Sequence, residues 1–577
     1  MNINELIGIS SSFSVYKIIS YILPALALWL LARCLRSMLS HKAEPELWGA
    51  LTDSSGTKYP IKHWDCVIGR AASADIVLPD TSVARTHATL SRTDEGIWRL
   101  KNLGPRESTK LNGKVVSEVS EIKSGDKIKI NKRVYTFRPL SETGRAKLEL
   151  KRTPAGFFVS SGLTLMILTL FQGFLVVGLT EKAPNDVSIN ILLSFSGLIF
   201  LEWLFYLLMR LMRRSGFEPE IIAFFLSGLG LFVVASSTPN DLFKALIIIV
   251  TGAVGFLFLG WWLRGSDRTT SLRWLAAAVS VAVLVGCALF GTEIYGAKNW
   301  FFIGGISVQP SEFVKLAYVY TGAATLDKLF SRRNLITFIA FSAICVISLT
   351  LMGDFGTAVI FFGTFLVIAF MRSGSFATVF LAISGAAIAS FLVLTIKPYI
   401  AKRFATWGNV WSDVWGAGFQ QTKAISAVAS GGLLGKGPGN GSVKRVFAAD
   451  TDMVFSMLAE ELGLIVAIVA VLAVIALGVF AARNAALGRS TYFAIAGCAA
   501  ADMMMIQMSL NVFGTLDILP FTGVTFPFVS KGGSSLLACW LLLAFVKATD
   551  TRRDASFVVK APVSPEVFYE STGEAGK

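Results

Sequence analysis

Histidine is missing from the part of the chain that is rich in apolar residues. The chain has three histidines, His41, His63 and His87, and all of them precede Lys151. The main series of long apolar runs begins a few residues after Lys151. Histidine-based acid–base catalysis within the apolar region is therefore excluded. Proton transfer there has to rest on carboxylates, lysine, tyrosine or a metal ion that carboxylates hold.

Polar residues collect at the ends of the apolar runs and in one long connection. Polarity near hydrocarbon is costly, so such clusters are functional by default. The clusters occupy residues 296–300, 309–312, 353–357, 403, 413–421, 431–437, 450–452, 460–461 and 520–535. Glu312 and Lys315, one helical turn apart, are predicted to form a structural ion pair.

The long connection, residues 397–452, carries three tryptophans beside a carboxylate. Trp407, Trp411 and Trp415 recur at four-residue spacing, which is typical of one face of a helix. In a helix Asp413 would lie about 200° round from Trp411, at about 100° per residue. The spacing predicts that the tryptophans face lipid and that Asp413 faces the protein. The alternative is an interfacial hairpin whose tryptophans only anchor it at the headgroups.

The elements that must position these residues are membrane helices. Of 577 residues, 54% are hydrophobic and 16% are charged, and the mean hydropathy is +0.62, which excludes a water-soluble globular chain. Spans of about 20 apolar residues are expected. They are predicted at residues 15–35, 155–179, 187–208, 221–234, 242–262, 272–290, 313–329, 336–352, 357–371, 377–396, 453–480, 492–512 and 534–546. The predicted fold class is an all-α polytopic membrane bundle.

Charge in the connections orients this bundle, because Lys and Arg near span ends mark the cytoplasmic side. Basic connections alternate with weakly charged ones, so the net charge of +15 is assigned to cytoplasmic loops rather than to a nucleic-acid partner. The alternation places the connection 397–452 outside. It places the segment before residue 146 and the C-terminal tail inside, in a multi-pass protein of the cytoplasmic membrane.

The segment before residue 146 has the pattern of a small β-sandwich. Short β-like runs alternate with Gly, Pro and Asp turns from about residue 46 to 139, as expected for such a fold. The predicted domains are a membrane anchor at 1–43, the sandwich at 44–145, two additional spans at 146–218, a ten-span core at 219–550 and a disordered cytoplasmic tail at 551–577.

Ordered signatures between residues 221 and 546 resemble the SEDS proteins, the family of FtsW, RodA and SpoVE. They are QPSE at 309–312, DFGT at 354–357, GAGFQ at 416–420, GGLLGKG at 431–437, TD at 451–452, EELG at 460–463 and PFVSKGGSS at 527–535. The chain departs from the family pattern at four positions, where the family usually has Arg, Pro, His and Tyr. These positions hold Asn299, Gly353, Asp450 and Lys531.

The resemblance implies an inverting peptidoglycan glycosyltransferase that polymerises lipid II into glycan strands outside the membrane, in division, elongation or sporulation. Matched residue by residue, the family's catalytic carboxylate falls on Asp413. The implied substrate-binding residues are Lys402, Arg403, Gln420, Lys423, Lys436, Asp452, Glu460, Ser534 and Ser535.

The implied leaving group and partners follow from the same resemblance. Undecaprenyl pyrophosphate departs as an anion, so nearby cations, with Lys444 and Arg445 among them, should stabilise it. Whether the reaction uses a carboxylate-bound Mg²⁺ or Mn²⁺ stays open, since no spacing of ligand residues marks a site for it. The implied protein partner is a class B penicillin-binding protein transpeptidase.

Two other functions stay open. In a lipid II flippase, the outward polar groups would form part of a path across the bilayer. That path is disfavoured because the inner halves of most spans are apolar, apart from isolated residues such as Asp502. A phosphorylation-sensing scaffold with an inactive bundle is disfavoured because Asp413 and its neighbours remain.

The sandwich resembles a forkhead-associated (FHA) domain, a reader of phosphothreonine. The matching stretches are Gly69-Arg70, the ARTH sequence at 84–87 and NLGPRESTKLNG at 102–113. The resemblance implies phosphopeptide-binding residues Arg70, Arg85, Thr109 and Asn112. Two family donors are replaced, by Ala84 and Glu107, which predicts weak binding of a phosphothreonine protein. The alternative is a docking module that has kept the fold and lost the phosphate.

Overall fold

A computed structural model of the chain describes residues 15–40, 46–72, 74–93, 96–116, 119–181, 183–264, 272–294, 297–303, 306–325, 332–374, 376–396 and 406–558. Its helices are α1 (Val15–Ser40), α2 (Glu142–Lys151), α3 (Ser161–Thr180), α4 (Asn185–Leu211), α5 (Glu218–Ser237), α6 (Leu242–Trp262), α7 (Arg273–Phe290), α8 (Pro310–Thr325), α9 (Arg332–Leu351), α10 (Phe355–Ser373), α11 (Phe376–Ile396), α12 (Phe419–Gly431), α13 (Val454–Glu461), α14 (Leu464–Ala485), α15 (Thr491–Thr515) and α16 (Gly533–Ala548), besides the four-residue helical turn Ala449–Asp452.

Among the described residues, ten helices are long and apolar enough to cross a membrane, judged by length and composition. They are α1, α3 to α7, α9, α10, α14 and α15. The helix α16 and the stretch Phe376–Ala387 of α11 are apolar as well and shorter. The chain is therefore a multi-pass membrane protein, as its composition predicts.

The helix α5 lies at the centre of the bundle. In an apolar stretch of 18 residues, 89% of α5 is buried, against 22% in the corresponding stretch of α7. It contacts α1, α3, α4, α6, α14 and α16. The N-terminal helices α1 and α3 pack against each other and cover α5, and α1 also contacts α14. The additional N-terminal helices are thus integral to the packing of the bundle.

The segment between α1 and α2 is a β-sandwich, as predicted. Its strands are β1 (Gly49–Asp53), β2 (Lys58–Ile61), β3 (Asp65–Gly69), β4 (Ile76–Val77), β5 (Ala88–Arg92), β6 (Trp98–Asn102), β7 (Thr109–Leu111), β8 (Lys114–Val115), β9 (Val119–Ile122), β10 (Lys127–Ile130) and β11 (Arg133–Pro139). One sheet has the order β2-β1-β11-β10-β7-β8 and the other β4-β3-β5-β6-β9. Alternate side chains from both sheets form a separate buried core, with Leu51, Ile68, Leu90 and Phe137 fully enclosed.

A third, small sheet lies between α7 and α8, where the sequence predicted only a polar connection. Its strands are β12 (Thr292–Ile294), β13 (Ala297–Ile303) and β14 (Ile306–Val308), with β13 in the middle. This sheet carries Asn299 and leads directly into the Gln309 that precedes α8.

The single span predicted over residues 453–480 is wrong, because the structure divides it into α13 and α14. The break falls at Gly463, whose φ of +92° suits a residue without a β-carbon. The preceding loop binds at the break: the N–H of Lys436 donates to the Glu460 carbonyl at 2.9 Å, and the N–H of Leu464 donates to the Gly432 carbonyl at 3.0 Å.

The chain beyond α16 differs from the prediction of a disordered tail starting at residue 551. Residues 551–558 are described and largely buried. The ring of Phe557 packs on Phe256 with centroids 5.2 Å apart, and Arg264 Nε donates to the Phe557 carbonyl at 2.6 Å. The predicted tail over 559–577 lies outside the described residues.

Candidate active site

Asp413 lies on a short 3₁₀ turn, Val410–Asp413, ahead of α12. The tight turn is closed by its own backbone, since the N–H of Gly418 donates to the Asp413 carbonyl at 3.1 Å. The Asp413 side chain is exposed, and its Oδ2 accepts the N–H of Ala417 at 2.9 Å. No described residue donates a hydrogen bond to the second carboxylate oxygen, Oδ1. The carboxylate can therefore accept a proton from a bound molecule.

Two glycines of the GAGFQ sequence make room for this turn. A β-carbon on Gly416 would lie 2.2 Å from Asp413 Oδ2, and one on Gly418 would lie 2.1 Å from the Val410 carbonyl oxygen. Both distances are too short for any real contact. The spacing of these glycines therefore follows from the way the chain wraps around the carboxylate.

The predicted helix with tryptophans on one face and Asp413 on the other is wrong. The segment is a 3₁₀ turn followed by irregular turns, because Asp413 and its glycines bend the backbone. Trp411 and Trp415 are exposed, by 59% and 84%, as expected. Asp413 is exposed on the same projecting turn rather than facing the protein.

Two predicted substrate-binding residues lie next to this turn. Lys423 Nζ is 5.6 Å from the ring centroid of Trp415 and 5.7 Å from that of Phe419, distances at which a cation is attracted to the ring face. Gln420 Nε2 donates to the Phe447 carbonyl at 3.0 Å. The structure thus puts a cation against the ring of Trp415, two residues after Asp413, and turns the Gln420 amide to Phe447. The predicted Lys402 and Arg403 lie outside the described residues.

Glu460 anchors the glycine-rich loop that follows α12. Its fully buried carboxylate accepts from Lys436 Nζ at 2.8 Å, Ser442 Oγ at 2.7 Å and the N–H groups of Ser442 and Val443 at 2.9 Å each. Burial alone would raise the pKa of Glu460, but these donors, led by the Lys436 ammonium, lower it. The group lies on α13, outside the ten candidate spans. Glu460 therefore stays ionised and fixes both the loop and Lys436.

The TD and PFVSKGGSS sequences meet at one place on the same end of the bundle. The N–H of Lys531 donates to the Asp450 carbonyl at 2.8 Å, and Lys531 Nζ lies 3.5 Å from Asp450 Oδ2. Asn511 Nδ2 donates to the Asp452 carbonyl at 3.1 Å. Two of the four departures from the family pattern, Asp450 and Lys531, therefore contact each other.

The predicted serines take part in hydrogen bonds that join helices. Ser534 Oγ accepts the N–H of Gln309 at 3.1 Å. Ser535 Oγ accepts from Gln507 Nε2 at 3.1 Å, and Gln507 Oε1 accepts from Lys315 Nζ at 2.9 Å. This network positions the start of α16 against α8 and α15.

The ion pair predicted between Glu312 and Lys315 is confirmed. Lys315 Nζ lies 2.9 Å and 3.0 Å from the two Glu312 oxygens, and both side chains are buried. A buried pair of this kind is retained only where further hydrogen bonds satisfy it, which Gln507 does.

Two carboxylates to which the sequence analysis assigns no role also hold neighbouring segments together. Asp354 Oδ2 accepts from Asn299 Nδ2 and Gln309 Nε2, each at 3.1 Å, and so joins β13 to α8 and α10. The DFGT sequence was the available signal. Asp517, for which the sequence carries no signal, accepts from Gly408 and Gln421.

In the sandwich, backbone hydrogen bonds bring the two predicted arginines to one end of a sheet, and the side chains of the other two predicted residues bond to neighbouring segments. Arg70 N–H donates to the Ala84 carbonyl at 3.0 Å, which sets Arg70 beside Arg85 at one end of the sheet. Thr109 is buried and its hydroxyl donates to Asn102 Oδ1 at 2.8 Å. Asn112 lies at the far end of β7, where its amide donates to Asp126 at 2.9 Å.

The opposite end of the sandwich docks on the connection between α14 and α15. The N–H of Trp64 donates to the Arg489 carbonyl at 2.5 Å, and Arg489 Nη2 lies 3.0 Å from Glu46 Oε1. The strands β3 and β5 run from this docked end to the arginines. The end that carries Arg70 and Arg85 therefore points away from the bundle.

In the part of the chain that the structure describes, no group of three or more His, Cys, Asp and Glu side chains is placed to hold a metal ion. The described residues around Asp413 offer one carboxylate, and Mg²⁺ in proteins is commonly held by one or two carboxylates together with substrate phosphates.

The sequence was compared with known families, proteins and structures. Residues 220–554, more than half of the chain, match the FtsW/RodA/SpoVE family, described as cell cycle proteins, and residues 66–131 match the FHA domain. The protein named probable peptidoglycan glycosyltransferase FtsW of Buchnera aphidicola is 30% identical over 298 residues, which are 49% of this chain and 75% of that protein. The protein of the same name from Borreliella burgdorferi is 29% identical over 56% of this chain and 91% of its own length.

Among solved structures, a chain from a study of the structural coordination of polymerization and crosslinking by a peptidoglycan synthase complex is 25% identical. It covers 57% of this chain and 95% of its own length with a TM-score of 0.47. The family match extends over most of the membrane region and includes the segments around Asp413, Glu460 and Lys531 described above. The chain therefore belongs to the FtsW/RodA/SpoVE family and carries an FHA domain ahead of the family region.

Proposed function

We propose that this protein polymerises lipid II into peptidoglycan glycan strands at the outer face of the cytoplasmic membrane, with Asp413 as the general base. The observation that carries the proposal is the exposed Asp413 carboxylate, held on a tight turn in the segment where the family resemblance implies a catalytic carboxylate. Lys423 lies against the ring of Trp415, two residues further along the chain. The relatives named as peptidoglycan glycosyltransferases support the reaction class.

The reaction needs one proton removed and one anion stabilised. Asp413 takes the proton from the acceptor sugar hydroxyl as that oxygen attacks the anomeric carbon of the donor. The bond from that carbon to the pyrophosphate oxygen breaks as the new glycosidic bond forms, which inverts the carbon. Undecaprenyl pyrophosphate leaves with the electron pair, and cations such as Lys423 and Lys444 stabilise its charge.

Substitution of Asp413 by Asn tests this role, because Asn keeps the size and removes the base. We expect purified Asp413→Asn to lose about 10²- to 10⁴-fold in lipid II polymerisation, while it inserts and melts like the unchanged protein. Exposed Ser412 provides the matched control, since Ser412→Ala alters the same turn and should retain activity. A polymer yield from Asp413→Asn close to that of the unchanged protein would overturn the assignment.

The flippase alternative receives no support from the cytoplasmic end of the bundle. Arg552 binds Glu218 and Asp550, each at 2.8 Å, and all three side chains are buried. This network joins the start of α5 to the chain just after α16 with buried, fully paired charges. If the Asp413→Asn protein no longer polymerised lipid II but still translocated it at the unchanged rate, that result would count further against transport as the function of the site.

A class B penicillin-binding protein transpeptidase is the partner that the family resemblance implies, because new glycan strands have to be crosslinked. The test is the polymerisation rate of the purified protein with and without such a transpeptidase. A rate that no class B protein of the same cell changes would remove the partner from the proposal.

The FHA domain is proposed to bind phosphothreonine weakly, in the cytoplasm, through Arg70 and Arg85. A phosphate of about −1.5 to −2 charge would meet both guanidinium groups, whereas Glu107 repels it and Ala84 offers no hydroxyl. Calorimetry of the full-length protein in detergent with phosphorylated and unphosphorylated threonine peptides tests this. Tight binding that survives Arg70→Ala would show that the site lies elsewhere.

A further inference from the structure

Both ends of the segment that carries Asp413 are fastened to the same turn at the end of α15. The N–H of Gly408 donates to Asp517 Oδ1 at 3.0 Å, and Gln421 Nε2 donates to the same oxygen at 3.3 Å. Gln421 Nε2 also donates to the Gly514 carbonyl at 3.0 Å. One carboxylate thus holds residues on either side of Asp413.

Asp517 occupies a backbone conformation that costs free energy. Its φ is +60°, in the left-handed region that glycine adopts freely and that other residues enter at a cost, least often avoided by Asn and Asp. A glycine would fit this turn without strain. The aspartate therefore has to be explained by its side chain, and the two hydrogen bonds across the Asp413 segment are what that side chain does.

The turn itself has few other attachments that could fix its position. Val410 is buried, but Trp411, Asp413 and Trp415 are all exposed. Hydrogen bonds within the turn set the shape of residues 410–418, and they do not set how that turn is oriented on the bundle. Orientation depends on the attachments at both ends, which converge on the turn after α15. Trp407 Nε1 donates to the Ile518 carbonyl there at 3.1 Å, and the Asp517 carboxylate accepts from both ends of the segment.

We propose that Asp517 is a positioning residue, which orients Asp413 by holding both ends of the segment 408–421 on the last turn of α15. The inference rests on the proposed role of Asp413 as the base. It extends that role by making the rate depend on a residue that does not touch the substrate. A misplacement of about 1 Å in a catalytic group costs on the order of 10²-fold in rate.

The test compares two substitutions of Asp517 in the full-length protein. Asp517→Gly keeps the left-handed backbone and removes only the carboxylate. Asp517→Asn keeps an Oδ1 acceptor and also tolerates this backbone. We expect Asp517→Gly to lower the lipid II polymerisation rate at saturating substrate by about 10- to 100-fold with little change in KM, and Asp517→Asn to stay close to the unchanged protein.

Hydrogen–deuterium exchange separates this inference from the assignment of Asp413. Exchange over residues 406–421 should rise in Asp517→Gly and stay unchanged over α14, with the same melting temperature. An unchanged rate or unchanged exchange in Asp517→Gly would overturn the inference, and so would exchange that rises throughout the bundle. If Asp413→Asn remained active, the proposed function would fail, while the exchange result would still show whether Asp517 holds the segment.

Discussion

A methyl group on Gly416 would meet the Asp413 carboxylate, because a β-carbon there lies 2.2 Å from Oδ2 and 2.6 Å from Oδ1. We expect Gly416→Ala to turn the carboxylate away and to lower polymerisation about 10²-fold. The melting temperature should change little, since the turn is exposed. A polymerisation assay and a thermal melt of the purified protein measure both effects.

Gly173 on α3 is the matched control for that substitution. A β-carbon on Gly173 meets no atom within 4 Å, so Gly173→Ala should leave both the rate and the melting temperature unchanged. Equal activity of the Gly416 and Gly173 variants would mean that the carboxylate does not need its observed position.

His87 makes the stability of the FHA domain depend on pH. Its side chain is fully buried, and its Nδ1 accepts the N–H of Ala84 at 3.1 Å, which requires that nitrogen to be unprotonated. Burial lowers the pKa of His87 from its ordinary value of 6.5. Below that value the unfolded domain binds a proton that the folded domain does not, so stability falls as pH falls.

The effect can be measured as the protection of the sandwich against hydrogen exchange between pH 7.5 and 5.5. We expect a loss of up to about 1.4 kcal/mol per pH unit below the ordinary histidine pKa. In His87→Asn the amide oxygen can still accept from Ala84, and it does not titrate, so this slope should disappear. The same slope in both proteins would show that another group titrates.

At the scale of elements, hydrogen bonds between separate segments assemble the end of the bundle that carries the polar family sequences. The loop after α12 binds the end of α13, the TD turn binds the PFVSKGGSS segment, and Asp354 joins β13 to α8. These are hydrogen bonds between segments far apart in the chain. Each family signature therefore reports a contact between elements as well as a candidate for substrate binding.

The pair formed by Asp450 and Lys531 is such a contact, and it replaces the usual His and Tyr of the family. We expect Asp450→His to lower the melting temperature slightly, because Lys531 keeps Asp241 as a partner at 2.7 Å. Lys531→Tyr should lower it more, because both carboxylates lose their cation. The double variant should lose less than the sum of the two, with a coupling of about 0.5–1 kcal/mol for this partly exposed pair. A double-mutant cycle in thermal denaturation measures the coupling. Strictly additive effects would mean that the two departures are independent.

At the scale of the whole molecule, buried charges join the FHA domain, the additional helices and the family core. Arg489 and Arg152 approach Glu46 of the sandwich at 3.0 Å and 3.6 Å. Burial alone would raise the pKa of Asp550, but the charges of Arg552 and Lys547 lower it to about 2. The junction is rich in arginine, as expected for the cytoplasmic side.

That orientation predicts opposite accessibility for two exposed positions. Leu433 follows α12 on the end of the bundle that carries Asp413, and Lys114 lies on the sandwich; both side chains are exposed. In intact cells an impermeant thiol reagent should label Leu433→Cys and leave Lys114→Cys unlabelled. The six native cysteines are buried or half-buried and give the background. Labelling of Lys114→Cys in intact cells would reverse the orientation and remove the external active site.

The sequence by itself determined the membrane class, the helix positions and the sandwich. Apolar runs and β-like alternation depend on neighbours a few residues away, so α3 to α10 fall close to where the patterns predict, and the strands lie within the segment predicted to be a sandwich. The pair of Glu312 and Lys315 was predictable for the same reason, because one helical turn separates them. Asp413 was predicted to be the catalytic carboxylate from its place in the order of the family motifs.

Only the tertiary structure decided what each polar residue contacts. Glu460 anchors the glycine-rich loop, α13 and α14 are separate helices, and Asp517 holds the Asp413 segment. All three features depend on partners that are distant in the chain. The 3₁₀ turn replaced the helix suggested by the tryptophan spacing, because exposed aromatic residues gain little from helical periodicity while the backbone around Asp413 closes on itself. Helical spacing is a local property, whereas the position of an exposed carboxylate depends on every segment that is bonded to it.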